Sequence, residues 1–146
     1  MKLLRVLAEI SRFGLAALFL FAAGAKLYTL SDFAANVSNL VWAGWAWPVA
    51  VAVIVLELIA VVLLIWPRYV RLGGVWAALL LVGFAAYALY YTQVLHGEPL
   101  ECGCFGGIIA SQLGVSTALR NLGLLLPALL VVFARTRYRS SSPPEA

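Results

Sequence analysis

The sequence predicts an all-α integral membrane protein, a bundle of four transmembrane helices with both termini in the cytoplasm. Three observations carry that prediction. Of 146 residues, 64% are hydrophobic and only 11% are charged, against about 25% charged in an ordinary soluble domain, and mean hydropathy is +1.01. Four unbroken apolar runs each come close to the roughly 20 residues that cross the hydrocarbon layer as a helix. Lys and Arg are confined to alternate loops. A chain of this length admits one domain.

The first apolar run covers about residues 13–30, with Arg12 at its start and Lys26 near its end. The second covers about 48–66 and is interrupted by one charge, Glu57. The third, about 72–95, carries none, and the fourth, about 118–134, has Arg120 near its start. In lipid the backbone must satisfy its own hydrogen bonds, so each run is a helix. The alternating pattern of a membrane barrel is missing. Residues 1–134 form the helical membrane domain. Residues 135–146 form a tail that begins basic (Arg135, Arg137, Arg139) and ends in Ser, Pro and Glu, a composition that predicts disorder.

Loop charge sets the orientation. Lys2, Arg5 and Arg12 precede the first run, Arg68 and Arg71 separate the second from the third, and three arginines follow the fourth. The loops at about 31–47 and 96–117 contain no Lys or Arg. The positive-inside rule places these two loops outside the cytoplasm and the chain as a multi-pass protein of the inner (plasma) membrane. Trp42, Trp45, Trp47, Tyr90 and Tyr91 fit an outer aromatic belt, and Trp66, Tyr69 and Trp76 an inner one. Residues 1–25 also have the basic start, apolar core and small-residue end (Ala22-Ala23-Gly24-Ala25) of a cleaved signal peptide. The segment is long enough to span, and cleavage would leave an odd number of spans.

The net charge of +4 does not point to nucleic acid, because the basic residues flank apolar runs. There is no phosphate-cradling glycine loop and no Ser/His/Asp set. His96 is the sole histidine, which excludes a multi-histidine metal site within one chain. It reads as an interfacial loop residue.

The chemistry concentrates in Glu101-Cys102-Gly103-Cys104-Phe105-Gly106-Gly107, which holds both cysteines of the chain. A disulfide between them would be a poor staple, since stabilisation grows with the loop that is closed. Two cysteines one residue apart are hard to bridge without strain, and strained, exposed disulfides are the labile or catalytic kind. An extracytoplasmic compartment permits that use. Two other readings stand beside it: a thiolate metal site for Cu(I) or zinc, and two inert thiols. Acidic Glu101 raises the thiol pKa of adjacent Cys102 by like-charge repulsion, which favours Cys104 as the attacking thiolate.

Lys26, Glu57 and Arg120 are charges inside apolar runs. A lone charge at membrane depth costs at least about 2.5–3.5 kcal/mol, so the three should face inward and pair. Glu57 is expected to meet Lys26 or Arg120. Two readings follow: a salt bridge holding helices together, or a polar pocket beneath the cysteines that holds a quinone ring or relays protons. Small residues at Gly14, Ala17, Ala22, Ala23, Gly24, Gly73, Gly74 and Gly83 allow close helix packing. Arg12 is expected to snorkel to the headgroups.

Over residues 5–134 the chain resembles the MauE branch of the DoxX-like membrane proteins. The resemblance rests on Arg12-Phe13-Gly14, Ala23-Gly24-Ala25-Lys26, Glu57, Cys102-Gly103-Cys104-Phe105-Gly106 and Arg120-Asn121. MauE is associated with methylamine utilisation. There it is linked, with a thioredoxin-like partner, to maturation of the disulfide-rich small subunit of methylamine dehydrogenase. The resemblance implies extracytoplasmic thiol–disulfide handling.

The resulting expectation is a membrane thiol–disulfide redox protein. Cys102 and Cys104 are its catalytic pair, and an extracytoplasmic thioredoxin-fold protein is its partner. Quinone is the candidate electron carrier, held by Lys26, Glu57 and Arg120. The functionally similar DsbB and VKOR proteins usually have two cysteine pairs, whereas this chain has one. The alternatives are a membrane scaffold or maturation factor without catalysis, and a metal-handling protein.

Overall fold

The computed structural model describes residues 2–39, 41–94 and 115–140, with side chains described over 2–39, 41–94 and 118–134. Among the described residues five helices follow one another: α1 (Lys2–Tyr28), α2 (Leu30–Val37), α3 (Ala43–Ile65), α4 (Val70–Gln93) and α5 (Val115–Ser140). Three of them, α1, α3 and α4, are long and apolar enough to cross a membrane. Large apolar side chains cover their outer surfaces: Leu20 and Phe21 on α1, Val55 and Val62 on α3, Leu79 and Val82 on α4 all face outward. A monomer in water does not tolerate so continuous an apolar exterior, and lipid is the solvent that accepts it. In α5 the apolar stretch is Ala118–Ala134, and the helix runs on through the basic residues to Ser140.

Helices α1 and α3 pack together, α4 packs against both α3 and α5, and α5 returns to α1. The core between them is built from Leu15, Phe19, Leu64, Leu81 and Val131 together with the buried alanines Ala16, Ala60, Ala77 and Ala128. Two adjacent glycines make α4 fit. A Cβ on Gly73 would stand 2.8 Å from the backbone of Leu63 and Leu64 in α3. One on Gly74 would stand 2.8 Å from Val132 in α5. Only glycine lets α4 approach both neighbours at this level. By contrast, a Cβ on Gly14, Gly24 or Gly83 would meet nothing within 4 Å. These three are not contact points, contrary to the packing role expected for them.

The loop expected at 31–47 contains a helix instead. Thr29, at φ −112° and ψ 43°, leaves the helical region and separates α1 from α2. Asp32 sits in the first turn of α2, where a negative charge suits the helix dipole. Phe33, Ala34 and Val37 recur on one face and pack against Ala46 and Ala50 of α3. Three further expectations change. Arg12 is buried rather than extended to the headgroups. Tyr91 is buried at 7% exposure and does not join an outer belt. Trp76 is half-buried, its indole Nε1 donating to the carbonyl of Leu56 at 3.1 Å. Trp42, Trp45 and Trp47 are exposed, as belt residues must be.

Candidate functional site: a buried ion pair beside a lipid-facing pocket

Lys26 and Glu57 form the centre of the site. Lys26 projects from the last turn of α1 and donates from Nζ to Glu57 Oε1 at 2.5 Å. The two side chains are 1% and 0% exposed. They face inward because the alternative is a bare charge in hydrocarbon. Two aromatic rings complete the lysine's surroundings. Nζ lies 5.5 Å from the Phe33 ring of α2 and 5.1 Å from the Phe84 ring of α4, distances at which the ring quadrupole attracts a cation. The second carboxylate oxygen, Glu57 Oε2, is buried and accepts no hydrogen bond among the described residues.

Arg12 makes a second polar junction between the same two helices at the opposite end. Its Nε and Nη2 donate to the carbonyls of Leu64 and Ile65, which lie in the final turn of α3 and have no partner within their own helix. The positive fork also complements the negative end of the α3 dipole. Nη1 donates to Glu9 at 2.8 Å. Helix α1 is thereby tied to α3 at two levels by charged side chains in an otherwise apolar interface. The sequence signal for Arg12 is a single basic residue at the edge of an apolar run, which reads equally as a snorkelling side chain.

A pocket of about 300 Å³ opens beside the ion pair between α2, α3 and α4. Of the three charges expected to build a polar pocket, only Lys26 lines it, and the walls are almost wholly apolar. Glu57 stands behind Lys26. Arg120 is on α5, with Nε and Nη2 buried, and does not line the pocket. Next to it Asn121 is 4% exposed, and its Nδ2 donates to nothing among the described residues. Lys26 and Glu57 thus come together, and Arg120 is not among the residues lining the pocket beside them. Phe33 and Phe84 complete the cationic corner, and nothing in the spacing of residues so far apart announces it. Cys102, Cys104, Glu101 and His96 lie outside the described residues. No group of three or more potential metal ligands occurs among the described residues.

An all-helical chain with an apolar exterior, charges paired in its interior and a pocket at membrane depth is an integral membrane protein. The chain belongs to the family of methylamine utilisation protein MauE, whose profile matches residues 4–134. No curated protein and no solved structure matches it.

Proposed function

We propose that this protein is a membrane thiol–disulfide redox protein of the methylamine-utilisation type. It serves the maturation of a disulfide-rich extracytoplasmic enzyme. The observation that carries the reading is that the chain's only two cysteines, Cys102 and Cys104, stand one residue apart inside the stretch matched by the family. A thioredoxin-fold partner is the fitting counterpart. A partner thiolate attacks one sulfur of the Cys102–Cys104 disulfide, the S–S bond breaks, and a mixed disulfide forms. The partner's second thiol then attacks its own sulfur in the mixed disulfide and displaces the cysteine still bound to it. The partner leaves oxidised and this chain is left with two thiols. Two electrons and two protons pass on to a quinone in the lipid phase, which becomes the quinol and restores the disulfide.

The test is thiol trapping in cells followed by non-reducing electrophoresis. Exchange is reversible, so the lone thiolate left by replacing one cysteine attacks the oxidised partner's disulfide and, with its neighbour gone, stays covalently attached; replacing both cysteines should abolish the adduct. Because Glu101 disfavours the Cys102 thiolate, Cys102→Ser should trap more adduct than Cys104→Ser. Thiols that stay reduced under oxidising growth, with no adduct from either single variant, would leave a non-catalytic scaffold for an extracytoplasmic protein as the reading.

The proposed topology has four spans with α5 as the fourth, both termini in the cytoplasm and the cysteine loop outside. What supports it is the loop-charge pattern. The Ala118–Ala134 stretch, at 1.5 Å per residue, is also about 25 Å long. Reporter fusions after Trp42 and Gly107 should read extracytoplasmic, and fusions after Arg71 and Arg139 cytoplasmic. A cytoplasmic signal at Gly107 would remove the oxidising compartment that the cysteine chemistry requires.

A further inference from the structure

We infer that the pocket between α2, α3 and α4 is the headgroup site of a membrane quinone, entered sideways from the lipid. The inference deepens the redox reading and rests on it for the electron transfer, although occupancy of the pocket does not depend on the cysteines. The size is right, since about 300 Å³ is the lower end of the range of small-ligand sites and suits one substituted ring. The mouth is right as well. Leu79 and Gly83, both lining the pocket, lie on the exposed outer face of α4, so a hydrocarbon tail can leave directly into the membrane.

The corner chemistry selects the class of ligand. Lys26 is already neutralised by Glu57 at 2.5 Å, so the pair has no net charge to hold an anion such as a fatty-acid carboxylate. It favours a neutral molecule with an oxygen acceptor facing the ammonium. Phe33 and Phe84 converge on Nζ and offer aromatic surface to a flat ring, for which offset or edge-on packing is favourable. A neutral planar ring bearing carbonyl oxygens and an apolar tail describes a benzoquinone or naphthoquinone of the lipid phase. An acyl chain of a phospholipid would need neither the cation nor the rings.

Gly83 supplies the test. A Cβ there would meet nothing within 4 Å, so Gly83→Leu projects into the mouth of the pocket without colliding with the bundle. Gly123 on α5 is equally open and does not line the pocket, so Gly123→Leu is the matched control. Binding of decylubiquinone to the purified protein in nanodiscs is read by quenching of tryptophan fluorescence and checked by equilibrium dialysis. Wild type should bind. Gly83→Leu should weaken binding roughly tenfold or more, Gly123→Leu should leave it unchanged, and Phe84→Leu should weaken it several-fold while keeping the bulk. The Cys102→Ser/Cys104→Ser variant should bind like wild type. No binding by wild type, or equal effects of Gly83→Leu and Gly123→Leu, overturns the inference. So does a tightly held phospholipid that decylubiquinone fails to displace. Adduct trapping without quinone binding would leave the redox reading standing and the pocket inference lost. Quinone binding with inert cysteines would do the reverse.

Discussion

Lys26→Met should lower the stability of the detergent-solubilised protein by about 3–5 kcal/mol, the usual cost of removing one partner from a buried ion pair. The Glu57 carboxylate is then left in the core without its lysine, and its Oε2 accepts no hydrogen bond from the described residues even in the intact protein. Glu57→Gln should cost less. The lysine it leaves behind keeps the faces of Phe33 and Phe84, worth up to about 2 kcal/mol for a desolvated cation–π contact. The double variant Lys26→Met/Glu57→Gln should be more stable than Lys26→Met alone, because no isolated charge remains and an apolar side chain replaces the cation. Unfolding titrated with a denaturing detergent measures all four proteins in one cycle. Strictly additive losses would show that the two groups do not interact in the folded state.

The second large effect is expected at Arg12. Arg12→Met keeps the apolar stem but removes both hydrogen bonds to the last turn of α3. The buried Leu64 carbonyl left without a donor costs about 1–3 kcal/mol, the part-buried Ile65 carbonyl loses a bond worth about 0.5–1.5 kcal/mol, and loss of the charge at the helix end adds up to about 2 kcal/mol. A total loss of about 1.5–6.5 kcal/mol follows from these terms. Arg12→Lys should recover only part of it, since a point-like ammonium cannot satisfy two successive carbonyls as a planar fork does. Glu9→Gln should be close to neutral, because the Glu9 carboxylate is 46% exposed and surface pairs contribute little. The effect should also be local. Protease access to the turn at Trp66–Tyr69 should rise in Arg12→Met and stay unchanged in Glu9→Gln, and equal susceptibility would separate Arg12 from the α3 end.

The two predictions together explain why the motif residues of α1 cluster as they do. Arg12 and Lys26 both come from α1 and both bind α3, so the pairing fixes the two helices against each other at two depths. Hydrocarbon contacts alone discriminate poorly between registers, because one apolar surface packs about as well as the next. Buried polar contacts in lipid are few and directional, and a shift of one turn would break both.

Much of this protein was legible without coordinates. Helices long and apolar enough to span are set by local composition, since roughly 20 apolar residues in a row have few other stable forms in a membrane. The three interior charges stood out for the same reason: nothing in hydrocarbon tolerates them unpaired. Membership of the MauE family was carried by short motifs readable in order along the chain.

Other features were decided by the packing. Whether Glu57 meets Lys26 or Arg120 depends on which faces of α1, α3 and α5 turn toward one another, and all three charges satisfy the same local rules. Arg12 at the edge of an apolar run could snorkel or turn inward, and the free carbonyls of Leu64 and Ile65 decide it. The α2 helix is too short to stand out from a loop by apolar periodicity, and its face is defined by contact with Ala46 and Ala50. The pocket joins Lys26, Phe33 and Phe84 from three helices. Sequence dictates which segments must leave water and which charges must find partners. The identity of each partner is a matter of azimuth and depth, which exist only once the helices have packed.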